Sequence, residues 1–150
     1  MIKPFRIAIE VRWADLDPNF HMLHSKYYDF AAHIRTRYLV EHGFTPEAMR
    51  KLGVGPILFR EECVFRRELL FQDKVEIDFC LTAARRDMSR FSFRHHIYKN
   101  ADTVAAVINV DGAWIDLVKR KLTGLPSEVS QKFLDVVPKS EDFIWQEPES

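Results

Sequence analysis

Ile7, Ile9, Val11 and Trp13 alternate with Arg6, Ala8, Glu10 and Arg12, a period of two that predicts a strand with one buried face. After the turn Asp15–Ser25 the period changes: Tyr27, Phe30, Ala31, Ile34 and Tyr38 recur at helical spacing, with Gly43 as the stop. That predicts a helix over 25–42. A short second helical turn begins at Pro46 and runs over 46–52, followed by a Gly-Val-Gly-Pro connection at 53–56. Strand-like stretches follow at about 57–68, 73–85, 89–99 and 103–118, each β-rich and too long for an ordinary loop. Val129 to Val137 adds a short helix and Pro138 onward an arm. One long helix among five mainly antiparallel strands is an α+β layout, a sheet wrapped on a helix.

Composition changes this picture little. The 150 residues, 47% apolar, fit a single domain over 1–150 with an arm at about 127–150. Lys plus Arg balances Asp plus Glu at 22 each, so charge argues for neither a nucleic-acid nor a membrane partner. Cys63 and Cys80 lie inside apolar runs and read as reduced core residues, not a disulfide or a nucleophile. With no leader pattern and no run near the roughly 20 apolar residues of a membrane helix, a cytoplasmic location is the expectation.

The candidate chemistry gathers in the turn between first strand and long helix. A helix starting near Ser25 directs its first N–H groups, and the positive end of its dipole, back at Asp17–His24. Asp17 offers a carboxylate nucleophile or general base, and the N–H groups of His24 and Ser25 offer donors to a developing oxyanion. His24 adds an imidazole able to orient a substrate or shuttle a proton. An Asp before Pro is equally a turn former or helix cap, and both readings stand on the residues alone. Tyr27 and Tyr28, on the first helical turn, are candidate acyl contacts, whereas Phe30 has core spacing. Arg35, mid-helix and facing the sheet, needs a carboxylate or carbonyls in order to be buried.

Elsewhere the signals are weaker. His95 and His96 adjoin in a strand, so alternation sends them to opposite faces and they do not act as a pair. Asp15, Asp17, His21 and His24 mix carboxylate and imidazole but follow no known ligand spacing, so no metal site is assigned. Arg85, Arg86 and Arg90 bracket the Asp87-Met88-Ser89 hairpin, and Arg90 is a candidate contact for phosphates. Asp73 reads as a turn residue.

The run Val11-Arg12-Trp13-Ala14-Asp15-Leu16-Asp17-Pro18, with His24, Tyr27 and Arg35 following in register, resembles the N-terminal signature of hotdog-fold acyl-CoA thioesterases of the 4-hydroxybenzoyl-CoA thioesterase type. The likeness extends more weakly along the chain: Gln72-Asp73 stands where that family has Gly-Asp, and Leu125-Pro126 matches its closing Leu-Pro. The resemblance implies a hotdog fold, a thioester hydrolase, Asp17 as catalytic carboxylate and His24 beside it. It implies a substrate site at the junction of two subunits in a homodimer or homotetramer. It implies no metal or redox cofactor, coenzyme A arriving with the substrate. Two other readings stay open: an acyl group carried by acyl carrier protein, and a non-catalytic acyl-CoA-binding protein. Phe20 occupies a position where the family often has Gly, so a different loop conformation is expected there.

Overall fold

A computed structural model describes residues 4–147. The outermost residues of the expected 1–150 domain, 1–3 and 148–150, lie outside them. β1 (Phe5–Ile9) is followed by a 3-10 turn at Trp13–Asp15, then α1 (Lys26–Glu41) and α2 (Pro46–Leu52). The rest is β2 (Val54–Phe65), β3 (Val75–Ala84), β4 (Phe91–Lys99), β5 (Thr103–Asp116), β6 (Lys121–Leu122), α3 (Ser127–Val136) and β7 (Lys139–Trp145).

The sheet runs β1-β3-β4-β5-β2 through antiparallel pairs, with β6 on β5 and β7 parallel on β3. It presents Val75, Ile77, Phe79 and Leu81 of β3, with Phe91, Phe93, His95 and Ile97 of β4, to the core. α1 answers with Tyr27, Ala31, Ile34 and Tyr38, buried at helical spacing. Around Tyr38 the rings of Phe5, Phe79 and Phe133 pack at centroid distances of 5.1, 4.7 and 5.8 Å. Gly43, at φ 88°, ends the helix as its position predicts.

Three expectations are corrected. The first strand stops at Ile9, not at Trp13. The chain leaves the sheet there and tightens into the 3-10 turn, so alternation no longer applies; Val11 is buried but Trp13 is 81% exposed. The Gly-Val-Gly-Pro segment is mostly strand: Gly55 pairs with Ile115 and Pro56 with Trp114. Pro56 is tolerated because β2 is the edge of the sheet, where a missing N–H removes no ladder bond. The arm after Pro138 is β7. β1 covers only Val75–Phe79 of the longer β3, and β7 takes up the same edge at Leu81–Ala84. The expected five-stranded sheet is thus the centre of a seven-stranded one.

Candidate active site

The two aspartates of the turn part company at once. Asp15 is fully buried, and its carboxylate accepts from the backbone N–H, Nε and Nη2 of Arg12 at 3.0, 3.0 and 2.9 Å. Those side-chain hydrogen bonds hold its carboxyl below the usual range. Its carbonyl also accepts from Leu23 N–H at 2.8 Å, closing the base of the turn. Asp15 is a strut. Asp17 organises the loop tip: Oδ1 accepts from the N–H groups of Asn19 (2.8 Å) and His21 (3.1 Å). Among the described residues Oδ2 receives no hydrogen bond, so one carboxylate oxygen is uncommitted.

Asp17 lines a cleft of about 370 Å³ together with His21, His24, Tyr27, Phe65 and Arg67, among others. The turn is tied to the loop after β2 by Met22 N–H to the Leu69 carbonyl, 2.8 Å, and by a contact of His21 Nε2 with Glu68 Oε2, 3.0 Å. Ser25 caps α1 with its backbone only. Neither His24 N–H nor Ser25 N–H donates to an acceptor among the described residues, so both remain available at the positive end of a 16-residue helix. Tyr27 is buried with its ring edge-on to Phe65 at 4.9 Å. Burial, reinforced by Cys63 and Asp17, pushes its hydroxyl up to about 12, so it stays a protonated donor at neutral pH. Tyr28, half-buried, lies on the β2 side of the helix, where burial and then Cys63 raise its pKa.

The fold therefore gathers Asp17, His24, Ser25 and Tyr27 at one end of α1, with Tyr28 on the adjoining face. It does not bring Arg90 there within one chain. The Arg90 guanidinium lies 5.2 Å from the Phe59 ring, and Phe59 stands six residues from Phe65 along β2, about 20 Å. Arg85 N–H donates to the Arg90 carbonyl and closes the hairpin, and Arg86 stacks over Trp145 at 4.1 Å. His95 and His96 do take opposite faces: His95 is in the core, while His96 Nδ1 meets Asp78 Oδ2 at 3.0 Å on the outer face. Asp73 is a turn residue, its carboxylate accepting from Leu70 N–H and Asn100 Nδ2. Cys63 and Cys80 are free thiols, each pushed up to about 11 by burial, a poor setting for nucleophiles. No group of three metal-ligating side chains occurs among the described residues. None of their helices is long and apolar enough to cross a membrane.

Phe20 is the surprise of the turn. It keeps a glycine-like backbone, φ 63°, with its ring 69% exposed. Hydrogen bonds from Phe20 N–H to the Asp17 carbonyl and from His21 N–H to Asp17 Oδ1 hold the left-handed bend.

The profile of the thioesterase-like superfamily matches residues 11–133. The chain belongs to that superfamily. A protein of Aquifex aeolicus (strain VF5) named as a candidate esterase is 25% identical over 133 residues, 88% of this chain and 99% of its own. Among solved structures, a Staphylococcus aureus protein in complex with CoA superposes with a TM-score of 0.84 at 18% identity, over 93% of this chain and 89% of that one. The DHNA-CoA thioesterase of Staphylococcus aureus gives 0.78 at 18% identity, over 89% and 90%. These likenesses establish the hotdog fold, the curled antiparallel sheet around α1, and the superfamily places the chain among thioester hydrolases.

Sequence reasoning missed the far wall of the cleft: Phe65, Arg66, Arg67 and Glu68. The signal was the charged triplet inside the stretch read as strand to residue 68. The strand ends at Phe65 because the N–H groups of Arg66 and Arg67 both turn to one acceptor, the Ala105 carbonyl.

Proposed function

We propose that the protein hydrolyses a fatty-acyl or aromatic acyl-CoA to the free acid and coenzyme A. The observation that carries this reading is the meeting in one cleft of Asp17, which keeps one carboxylate oxygen without a hydrogen bond, with His24, whose N–H, like that of the adjoining Ser25, has no acceptor among the described residues. A thioester carbonyl docked on those N–H groups gains its largest stabilisation as its oxygen becomes negative. Asp17 Oδ2 then attacks the carbonyl carbon and expels the thiolate, leaving a mixed anhydride for water to open. Alternatively, it takes a proton from a water that attacks directly. His24 orients the substrate or returns a proton to the departing sulfur. Neither route calls on a metal or redox group, because coenzyme A enters with the substrate. The reading brings with it a cytoplasmic setting, where such thioesters are made.

A homodimer, alone or within a tetramer, completes the proposal. β2 is a 12-residue edge strand carrying exposed Leu58, Phe59, Val64 and Phe65, a surface that invites pairing with a second copy. Antiparallel pairing of two β2 strands lays the Phe59 and Arg90 end of one subunit toward the Phe65 end of the other. Arg90 then reaches the phosphates of coenzyme A bound at the opposite subunit's cleft. The basic rim formed by Arg66 and Arg67 favours a second reading, an acyl group delivered on an acidic carrier protein.

The test is thiol release from short, medium, long and aromatic acyl-CoAs, with matched carrier-protein thioesters, by wild type and Asp17→Asn. One acyl class is expected to be turned over, with a loss of about a hundredfold or more in the variant. Turnover of the carrier thioester alone selects the second reading. Ligand binding with no turnover of either leaves a non-catalytic binding protein.

A further inference from the structure

The chain carries as many basic as acidic residues, but the fold does not spread them evenly. β5 and β6 form a hairpin whose turn, 117–120, is exposed throughout, and Lys119, Arg120 and Lys121 set three cations on it in a row. Leu117 N–H donates to the Gly53 carbonyl at 2.9 Å, which fixes the turn beside the end of α2 and its exposed Arg50 and Lys51. Two carboxylates stand against these five cations. Glu47 lies 3.9 Å from Lys51, and Asp116 is spent on the turn itself. Its Oδ1 accepts from the N–H groups of Lys119 and Val118 at 2.8 and 2.9 Å, bonds that hold its carboxyl below the usual range. Among the described residues Arg50, Lys119, Arg120 and Lys121 form no ion pair.

Apolar side chains share this surface. Val118, at the crown of the turn, is 86% exposed, the most exposed large apolar side chain among the described residues, and Leu117, Leu122 and Leu52 are exposed as well. The fold does not require a valine there, because backbone bonds close the turn, among them Arg120 N–H to the Asp116 carbonyl at 2.8 Å. Single apolar residues on a surface are ordinary, but a group of them beside unpaired cations marks a contact site. The patch is separate from the Asp17 cleft. Val54 pairs with Asp116 at one end of β2 and Phe65 with Ala106 at the other, about 35 Å away along the strand.

We infer that this corner of the molecule docks on an anionic lipid surface. The order of its groups matches the layers of a bilayer. Val118 leads and enters the boundary between headgroups and acyl chains, while the long stems of Lys119, Arg120 and Lys121 carry their charges back to the lipid phosphates. Each basic residue close to such a surface strengthens partitioning by about fivefold, and salt screens the attraction. An acidic protein answers the cations but must also supply an apolar pocket for Val118, whereas a bilayer supplies both. The turn is already closed by its own hydrogen bonds, so docking has little backbone to order. The inference stands apart from the thioesterase reading and needs no turnover.

Vesicle sedimentation with the full chain tests this. Wild type is expected to partition onto vesicles of phosphatidylcholine and phosphatidylglycerol in equal amounts about tenfold or more above phosphatidylcholine alone, with the advantage shrinking as salt is raised. Lys119→Gln combined with Lys121→Gln should lose about tenfold or more of that binding. Lys74→Gln combined with Lys132→Gln removes the same charge outside the patch and should lose less than about threefold. Val118→Ser should lose about threefold or more at low and high salt alike. All five positions are exposed, and an unchanged Tm checks that each variant folds. Equal partitioning onto the two kinds of vesicle, equal losses in the two lysine pairs, or a valine variant that binds as wild type does each overturn the inference. Polyglutamate bound through Lys119 and Lys121 while vesicles are ignored overturns it too, and gives the surface to an acidic protein.

Discussion

Asp15 and Asp17 sit two residues apart on one turn, but Asp15 is sealed beneath Arg12 with both carboxylate oxygens engaged, whereas Asp17 lines a cleft and keeps one oxygen without a hydrogen bond among the described residues. His95 and His96 repeat the contrast on β4, one locked between Arg35 and a backbone carbonyl in the core, the other on the outer face beside Asp78. In both pairs identical side chains acquire different work from the hydrogen bonds their neighbours impose. A satisfied polar group rigidifies the fold, and an unsatisfied one facing a cavity is available to a ligand.

Substitutions should separate the two aspartates. Asp17→Asn is expected to lower kcat/KM by about a hundredfold or more while leaving Tm nearly unchanged, since the amide oxygen can accept the same N–H groups of Asn19 and His21. Asp15→Ala should do the reverse, removing about 2 kcal/mol of stability through the lost network, or about 4–8 °C in Tm. Below its denaturation temperature this variant should retain most of its activity. If Asp17→Asn melts early and keeps its turnover, the assignment of roles is inverted. The depressed Asp15 carboxyl adds a pH signature: its stabilisation is complete above the ordinary carboxylate range and disappears as pH falls through its lower folded value.

His95 supplies the next effect. Held neutral in the fold down to about pH 3 but free to protonate near 6.5 when unfolded, it makes the unfolded chain bind more protons between those limits. Stability should therefore fall as pH drops through that window, by about 1.4 kcal/mol per pH unit from this group. His95→Gln keeps an acceptor for Arg35 and a donor for the Asp78 carbonyl but cannot titrate. Urea denaturation between pH 6.5 and 4 should show a visibly flatter slope for the variant, and parallel slopes would mean that His95 is charged in the fold.

Much of the frame was legible because its patterns are local. The apolar stripe of α1, its Gly43 stop, the opposed faces of His95 and His96 and the gathering of Asp17 with His24 all follow from periods of 3.6 and 2 and from one turn. What escaped depends on partners distant in sequence. The end of β2 is set by the Ala105 carbonyl some forty residues on, β7 exists because β3 outruns β1, and Pro56 survives in a strand only because that strand is an edge. Arg35 is the sharpest case. Its burial requires a partner, and the one the fold provides is a neutral imidazole, which no reading of the helix alone could foresee.

Phe20 yields the smallest effect and tests how far the open aspartate depends on its loop. A non-glycine residue in left-handed backbone carries a penalty of about 1–2 kcal/mol, and the exposed ring recovers little of it by packing. Phe20→Gly relieves that strain but frees the unfolded chain, so the net gain should be about 0.5 kcal/mol, measurable as a small rise in the urea midpoint. Because the backbone already holds the glycine-like bend, the Asp17 hydrogen bonds should persist and kcat/KM should change by less than about threefold. A larger loss would mean that the ring itself touches the substrate. Phe20 would then join the Asp17 side of the comparison, its strain maintained for a contact the free protein leaves in solvent.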